Sequence, residues 1–518
     1  MRYGELHSHA NRVRGNITLK NNYVLRQIAI VLILASIQHL GSTAHSTADE
    51  PDRPNILYIM SDDHAAPAIS AYGGFLAEAA PTPNIDRLAE EGMLFENCFC
   101  TNSICTPSRA VIFTGLYSHL NGVYKFTPLD QSQPTLPKLL QEAGYKTAFV
   151  GKYHLHSNPV GFDDWSILPG QGRYYDPQFV EMGDESPTGR VTQGQRTTYE
   201  GQSSDVIGDK ALAYLTERRP DDAPFAFFCH FKAPHDPWGY APRYESLFAD
   251  VDLPEPATLF DDYSNRSDAL PSTLQFIGSK WGNHTNYVQQ TEHLEGDARK
   301  RAQYQLYIKS YLRCVRGVDD NIGRILDYLD ESGLAENTIV VYTADQGFFL
   351  GEHGLYDKRF MYEEALRMPL LVRWPGKIAP GETSEEIVLN LDFAQTLLDV
   401  AEGTPDPGMQ GRSFLPILQG ETPDDWRDVM YYRYYFSHFD TEPHYGVRTA
   451  THKLIYFNRI DQWEFFDLLK DPLEMQNVYE DPAYADVRIR LEAELERLQS
   501  EMGDDPADLG DNPRTGFE

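Results

Sequence analysis

The stretch of sequence that decides the fold is Asn55-Ile-Leu-Tyr-Ile-Met60, which is followed at once by Ser61-Asp62-Asp63-His64. A short apolar run between Pro54 and Ser61 is typical of a strand that is buried on both faces of a parallel sheet. Similar runs occur at 146–150, 224–228 and 338–342, with helical patterns between them. Strands that alternate with helices predict an α/β sandwich with a large, mostly parallel sheet.

Polar residues follow each of these four runs, the first of them directly. The four clusters are Asp62-Asp63-His64, Gly151-Lys152-Tyr153-His154, Lys232-Ala233-Pro234-His235 and Asp345-Gln346-Gly347. Open α/β sheets bind ligands beyond the carboxyl ends of their strands. The sequence therefore predicts that the four clusters form one site at a single edge of the sheet.

The last fifth of the chain has a different character. From about Gly411, tyrosine-rich runs at 429–435, 445–449 and 452–457 predict short antiparallel strands, and an amphipathic helix follows at 487–498. We expect a catalytic domain at 52–409 and a small C-terminal α+β subdomain with an antiparallel sheet at 410–502. The acidic segment 503–518 is predicted to be a loose tail.

Charge and the N-terminal segment limit the class of protein. A net charge of −32 over 518 residues argues against binding to nucleic acid or to anionic membrane surfaces. Basic residues precede an apolar run at 28–37, which is typical of a signal peptide and too short for a membrane span. We predict a signal peptide at 1–44, a periplasmic or secreted protein and no stable membrane span. A later start codon and a retained anchor remain alternatives.

The five cysteines do not form an obvious disulfide framework. Cys98 and Cys100 lie two residues apart, and side chains at that spacing on a strand stand side by side without converging. We interpret them as buried free thiols, with a contribution to a metal site as the alternative.

A third cysteine lies in Cys105-Thr-Pro-Ser-Arg109, just before the apolar stretch 110–113. This pentapeptide resembles the signature at which type I sulfatases have their cysteine oxidised to formylglycine. The resemblance implies an aldehyde at position 105, which hydrates to a gem-diol. One hydroxyl attacks sulfur, and the other then expels sulfate by collapsing back to the aldehyde. The alternative is a buried structural cysteine before a helix cap.

The resemblance extends over about residues 52–480. The four clusters described above, together with Gly351-Glu-His-Gly354, are similar to sulfatase blocks in the same order. The family implies an alkaline-phosphatase-like sandwich, and the segment 345–364 is most similar to bacterial polysaccharide sulfatases, including those acting on 6-O-sulfated N-acetylglucosamine. Ulvan sulfatases carry similar stretches.

The family's metal ligands fall on five positions of this chain. They are Asp62, Asp63, Asp345, Gln346 and the oxidised Cys105. Carboxylate and amide oxygens are hard ligands, which suit Ca²⁺, with Mg²⁺ as the alternative. The position of Gln346 is often Asn or His in relatives, and Gln keeps the carbonyl donor on a longer arm.

The resemblance also implies the catalytic residues. Lys152 and Lys358 are expected on the sulfate oxygens and Arg109 beside the formylglycine, where positive charge stabilises the transferring group. His154 is expected to hold or deprotonate the gem-diol. His235 is expected to protonate the departing sugar oxygen as a general acid with a pKa near the working pH.

The sugar contacts are predicted by analogy with the polysaccharide sulfatases. Lys152, His235 and Lys358 are expected to bind the substrate at its sulfate end, and Asp357 and His444 at the sugar hydroxyls. The substrate class is a sulfated carbohydrate, such as a glycosaminoglycan or an algal polysaccharide.

The partner implied by this chemistry is a formylglycine-generating or anaerobic sulfatase-maturing enzyme. Two other functions remain open at this stage. One is a phosphonate or phosphodiester hydrolase of the same superfamily, and the other is a sulfatase-like glycan-binding protein without turnover.

Overall fold

The computed structural model describes residues 53–183, 195–278 and 284–507. The predicted signal peptide and the tail beyond residue 507 lie outside the described residues. The main sheet has ten strands, in the spatial order Glu382–Ser384, Met93–Phe95, Leu370–Arg373, Thr338–Ala344, Asn55–Asp62, Phe225–Pro234, Lys146–Gly151, Asp164–Ile167, Gln178–Glu181 and Thr197–Thr198.

The centre of this sheet is parallel, and both sides carry antiparallel strands. The strand Asn55–Asp62 pairs in parallel with Phe225–Pro234 on one side and with Thr338–Ala344 on the other. Leu370–Arg373 and Gln178–Glu181 run antiparallel to their inner neighbours. The predicted α/β class is confirmed, and the complete sheet is mixed.

The central strand is buried on both faces because its alternate side chains enter two different cores. Ile56, Tyr58 and Met60 belong to one hydrophobic core, whereas Leu57 and Ile59 belong to the other. All five side chains are fully buried. Helices cover both faces, as a buried parallel sheet requires.

Twelve α-helices surround the sheets in the described part of the chain. Their bounds are Pro83–Glu90, Cys105–Thr114, Ser118–Asn121, Leu136–Glu142, Ser203–Ala213, Ala269–Ser272, His284–Gln290, Gly296–Ser332, Glu363–Leu366, Phe393–Val400, Leu415–Leu418 and Ala485–Met502. The longest, Gly296–Ser332, is capped by Gly333, whose φ of +75° gives a left-handed C-cap. None of the described helices has the length and apolarity that crossing a membrane requires.

A separate antiparallel sheet lies near the C-terminus. Its strands are Val429–Tyr434, His444–Thr449, His452–Phe457 and Gln462–Asp467. The first three were predicted, and the fourth was not. Two small strand pairs complete the structure, Phe349–Leu350 with Tyr356–Asp357 and Cys98–Phe99 with Val388–Leu389.

The C-terminal sheet shares its core with the catalytic part of the chain. Tyr431 and Val447 of this sheet belong to the same hydrophobic core as Phe113 of the helix Cys105–Thr114. The chain from Arg53 onward forms one compact unit. Near residue 410 the chain thus passes from the main sheet to the C-terminal sheet, and both sheets belong to one compact unit.

The acidic segment after the last helix is attached at Asp504. This carboxylate is buried and pairs with Arg433, and the hydroxyl of Tyr431 donates to it. Two charge-assisted contacts with the C-terminal sheet hold the chain at this position. The prediction of a tail that is loose from residue 503 therefore does not apply to Asp504.

All five cysteines are buried and free. This agrees with the interpretation of Cys98 and Cys100 as buried thiols. Cys100 donates weakly to the carbonyl of Ala365 at 3.6 Å, and the strand Cys98–Phe99 packs inside the main core.

Candidate active site

The four predicted polar clusters converge at one edge of the main sheet. Asp62 ends the strand Asn55–Asp62, and Lys152, His235 and Asp345 each follow a neighbouring parallel strand at its carboxyl end. Because these four strands are adjacent, their terminal loops meet. The backbone of Asp63 is left-handed, with a φ of 64°, a conformation that is uncommon outside glycine and is found at functional sites.

The acidic residues of the site contact one another, two lysine side chains and one side-chain amide. The Asp63 backbone N–H donates to Asp345 Oδ1 at 3.1 Å. Lys358 and the Gln346 side-chain amide both donate to Asp63. Lys152 pairs with Asp62. All of these side chains are almost completely buried.

These residues fit a divalent cation. Asp62 Oδ1 and Gln346 Oε1 are buried and accept no hydrogen bond from the described residues. Ligand atoms of Asp62, Asp63 and His235 lie within 4.8 Å of one another. Unsatisfied buried oxygens are costly, and hard oxygen donors of this kind suit Ca²⁺ or Mg²⁺. Asp62, Asp63, Asp345 and Gln346 would hold the ion.

Cys105 is the first residue of the helix Cys105–Thr114, and the side chain of Ser108 fastens that helix to the acidic cluster. The Ser108 hydroxyl donates to the backbone carbonyl of Asp345 and accepts from Asn390 Nδ2 at 2.8 Å. The serine of the signature therefore sets the position of Cys105 relative to the predicted metal ligands. Burial raises the pKa of the Cys105 thiol to about 11, so an unmodified thiol stays protonated at neutral pH.

Arg109 lies beneath the acids and not on the surface of the pocket. Its Nε donates to Asp345 Oδ2 at 3.0 Å, and its Nη2 lies 3.7 Å from Asp62 Oδ1. A third nitrogen donates to the carbonyl of Lys152. The side chain is fully buried. Arg109 thus positions the loops that carry the acids and the lysine.

The charges of the site are strongly coupled. Burial raises the pKa of Asp63 to about 7, although Lys358 opposes this shift. Burial also disfavours the charged form of Asp345, but Arg109, Lys152 and Lys358 outweigh it and hold its pKa below the usual range. A cation bound among these acids would add to the second effect.

The two predicted catalytic histidines are neutral in the free site. Burial lowers the pKa of both His154 and His235 well below 6.5, and Lys152 adds to the shift. The expectation of a general acid with a pKa near the working pH therefore does not describe His235 in the substrate-free protein. His235 Nε2 is 3.7 Å from Asp63 Oδ2, and its Nδ1 is 2.8 Å from Asp236 Oδ1. A bound sulfate monoester would add a negative charge and favour protonation.

A pocket of about 210 Å³ opens above this cluster. Five of the predicted residues line it, namely Asp63, Cys105, His235, Asp357 and Lys358. The other predicted residues are not part of the lining, and Lys152 donates to the side chain of Gln171, which is.

Sequence reasoning missed several residues that line the same pocket. Arg359 pairs with Asp357 at 2.6 Å, and its Nε and Nη2 lie 3.2 and 3.0 Å from His438 Nδ1. The other missed lining residues are the polar Gln171 and Asp236 and four aromatics, Phe126, Phe348, Tyr356 and Phe439. Arg359 directly follows two predicted residues, which was a usable signal. Nothing in the sequence connects the distant His438 with them.

The structure corrects the prediction for His444. This residue is fully buried and accepts a hydrogen bond from the Met361 N–H at 3.1 Å. Its other ring nitrogen lies 2.8 Å from the carbonyl oxygen of Glu442, and its ring stacks on Phe360. Both nitrogens are therefore used inside the core, and His444 does not line the pocket. Among the described lining residues, His438 is the histidine of this loop region that faces the cavity.

We expect His444→Ala to lower the free energy of unfolding by about 2–4 kcal/mol, because it leaves a cavity and an unpaired buried N–H. Turnover per folded molecule should change little. His438→Ala should instead raise KM severalfold with little effect on stability. Thermal unfolding and steady-state kinetics of the two variants check this contrast, and a KM effect confined to His444→Ala would contradict it.

Comparisons with known proteins agree with this geometry. The family model described as Sulfatase matches residues 54–404, and a second model, described as N-sulphoglucosamine sulphohydrolase, C-terminal, matches 351–501. An N-acetylglucosamine-6-O-sulfatase of Bacteroides thetaiotaomicron is 42% identical over an alignment of 533 positions, which covers 92% of each chain. The human N-acetylglucosamine-6-sulfatase is 29% identical over 403 residues, which cover 73% of this chain and 67% of the human protein.

Solved structures give the same result for the fold. A protein in complex with its substrate D-glucosamine-2-N,6-O-disulfate superposes with a TM-score of 0.82 at 42% identity, covering 88% of this chain and 99% of that one. A phosphonate monoester hydrolase from Silicibacter pomeroyi superposes with a TM-score of 0.67 at 22% identity, covering 86% and 95%. The second similarity shows a shared alkaline-phosphatase-like fold alone.

Proposed function

Since the chain belongs to the sulfatase family, whose members are sulfuric ester hydrolases, we propose that it removes sulfate from a 6-O-sulfated glucosamine residue of a carbohydrate. The single observation that carries the proposal is the pocket in which Cys105, Lys358 and His235 meet the acidic cluster. The 42% identity to a glucosamine-6-sulfatase over nearly the whole chain supports the choice of sugar.

The nucleophile in this proposal is Cys105 after oxidation to formylglycine by a maturation enzyme. The hydrated aldehyde supplies a hydroxyl that forms a bond to sulfur while the bond between sulfur and the sugar oxygen breaks. Its second hydroxyl then loses a proton, the carbonyl re-forms and sulfate leaves. The position of Cys105 at a helix N-terminus favours the anionic group that this exchange handles.

The cations of the site stabilise the transferring sulfuryl group. Lys358 lines the pocket and Lys152 donates to Gln171, which also lines it, and these contacts support a role for both lysines on the sulfate oxygens. Asp63 and Asp357 raise the pKa of Lys358 above its usual value although burial opposes this, so Lys358 stays charged. A divalent ion, which we take to be Ca²⁺ or Mg²⁺, would supply further positive charge at its four protein ligands.

The two histidines would transfer protons in different steps, His235 when the sugar leaves and His154 when sulfate is released. His235 lines the pocket and would give a proton to the departing sugar oxygen. His154 lies behind Cys105, and the Thr106 hydroxyl donates to its backbone carbonyl at 3.0 Å. From there His154 would take the proton that leaves when the aldehyde re-forms. Before the next turnover His235 regains a proton from solvent and His154 releases one to solvent.

The sugar ring would occupy the outer part of the pocket. Asp357 and Arg359 form an ion pair on its wall, and His438 lies beside them. Charged groups held in a fixed pair are suited to hydrogen bonding with sugar hydroxyls. A cavity of about 210 Å³ suits one sulfated ring rather than a long stretch of polymer. We place the protein outside the cytoplasm, in the periplasm or secreted.

The proposal is tested with protein co-produced with a formylglycine-generating enzyme. Release of sulfate from N-acetylglucosamine-6-sulfate is compared with release from its 3-O-sulfated isomer and with hydrolysis of 4-nitrophenyl phosphate esters. We expect turnover of the 6-O-sulfate alone at a high rate. A preference for the phosphate esters would show that the protein is a phosphoester hydrolase and not a sulfatase. Turnover of the 3-O-sulfated isomer would contradict the proposed specificity for the 6-O-sulfate.

A further inference from the structure

A second cleft, of about 560 Å³, opens beside the catalytic pocket. Two segments of chain run through the walls of both cavities. Gln171 lines the first and Gly172 the second, and Asp236 lines the first and Pro237 the second. Consecutive residues therefore line the two cavities, so the second cleft lies next to the first.

The second cleft is rich in aromatic rings. Trp238 and Tyr287 lie nearly parallel, with centroids 6.3 Å apart and an interplanar angle of 16°. Tyr175 is 52% exposed, and its hydroxyl donates to the carbonyl of Tyr240 at 2.8 Å, which holds the ring in place. Trp238 and Tyr287 are 3% and 8% exposed and form the floor of the cleft, whereas the exposed ring of Tyr175 suits the apolar face of a sugar ring.

The lining of this cleft is positively charged, whereas the protein as a whole is negatively charged. Its lining includes Arg173 and Lys232 and, among the described residues, no acid. The chain as a whole has 77 acidic and 45 basic side chains. Lys232 is 1% exposed, lies 4.7 Å from the centroid of the Tyr174 ring and donates to the Asp236 carbonyl at 3.0 Å. A buried cation without a carboxylate in the lining favours an anionic ligand.

We propose that the second cleft binds the neighbouring sugar of an acidic oligosaccharide whose 6-sulfated glucosamine occupies the catalytic pocket. The exposed ring of Tyr175 would carry the sugar ring, and Arg173 and Lys232 would bind its carboxylate or sulfate. This inference rests on the proposed function, because it assumes that a sulfated sugar enters the first pocket. It makes the enzyme selective for the end of an acidic chain over a free monosaccharide.

The test compares two substrates in kcat/KM. One is N-acetylglucosamine-6-sulfate, and the other is a tetrasaccharide that carries this sugar at its non-reducing end next to a uronic acid. We expect the wild-type enzyme to prefer the tetrasaccharide by at least tenfold. Tyr175→Ala and Arg173→Gln should each lower kcat/KM on the tetrasaccharide by roughly three- to tenfold and on the monosaccharide by less than twofold. Phe260→Ala removes a partly exposed aromatic outside both cavities and serves as the control.

Equal kcat/KM on the two substrates, or equal losses on both in the cleft variants, would overturn the second subsite while leaving the sulfatase proposal intact. Calorimetric binding of both sugars to the Cys105→Ala protein separates the two proposals. Tighter binding of the tetrasaccharide, lost in Cys105→Ala combined with Arg173→Gln, supports the subsite. Absence of sulfate release from every substrate by matured wild-type protein would overturn the proposed function instead.

Discussion

Replacing Cys105 by alanine is expected to abolish sulfate release, with kcat/KM falling by on the order of 10⁴-fold or more. Alanine cannot be oxidised to an aldehyde, so it supplies neither the attacking hydroxyl nor the second hydroxyl that expels sulfate. The surrounding structure should tolerate the change, because Cys105 makes no disulfide and the helix is fixed by Ser108 and Arg109. Steady-state kinetics and thermal unfolding of the two proteins measure this directly.

Cys98→Ala is the matched control, since Cys98 is also a buried free thiol and belongs to the same core. This variant should lose some stability and keep its activity. Peptide mass spectrometry of the matured wild-type protein should show an aldehyde in place of the Cys105 thiol and intact thiols at the other cysteines. Full activity in protein that retains the Cys105 thiol would show that the nucleophile is wrong.

The sequence predicted the location of the site because the chemistry is tied to strand ends. Each buried strand has a short apolar signature, and Asp62, Lys152, His235 and Asp345 lie within a few residues of where those signatures stop. In a parallel sheet the carboxyl ends of adjacent strands share one edge, so local patterns were enough to bring distant residues together.

The sugar-facing part of the pocket could not be predicted in the same way. His438 reaches Arg359 from a loop between two strands of the C-terminal sheet, and no local pattern specifies that packing. His444 has a similar local sequence but is the first residue of a strand, where the Met361 N–H and the Phe360 ring enclose it. The difference between the two histidines is set by tertiary packing.

The antiparallel flanks of the main sheet were missed for a related reason. Leu370–Arg373 and Gln178–Glu181 have four residues each, too few for a periodic pattern to emerge from the sequence. Their direction depends on the path of the chain around the site. The parallel centre, with longer apolar strands, was predicted because burial on both faces leaves a continuous apolar run.

Removing the divalent ion is the second change with a large expected effect. Chelation, or the substitution Asp63→Asn, should lower kcat/KM by on the order of 10³-fold. Asp63 lies between Lys358 and Gln346 and close to Asp62 and His235, so its carboxylate is a central charge of the predicted cation site. Elemental analysis should find one divalent ion per wild-type chain and little in Asp63→Asn, independently of turnover.

Asp392→Asn provides the matched control for this variant. Asp392 is fully buried and pairs with Arg427, as Asp63 pairs with Lys358, but it lies outside the pocket lining. Losing a buried charge partner should lower the stability of both variants by a few kcal/mol. Only Asp63→Asn should also lose the ion, and adding Ca²⁺ or Mg²⁺ to chelated wild-type protein should restore activity. If the Asp63→Asn protein is fully active and retains its ion, Asp63 is not a metal ligand. If both variants lose the metal equally, the loss results from impaired folding and not from a missing ligand.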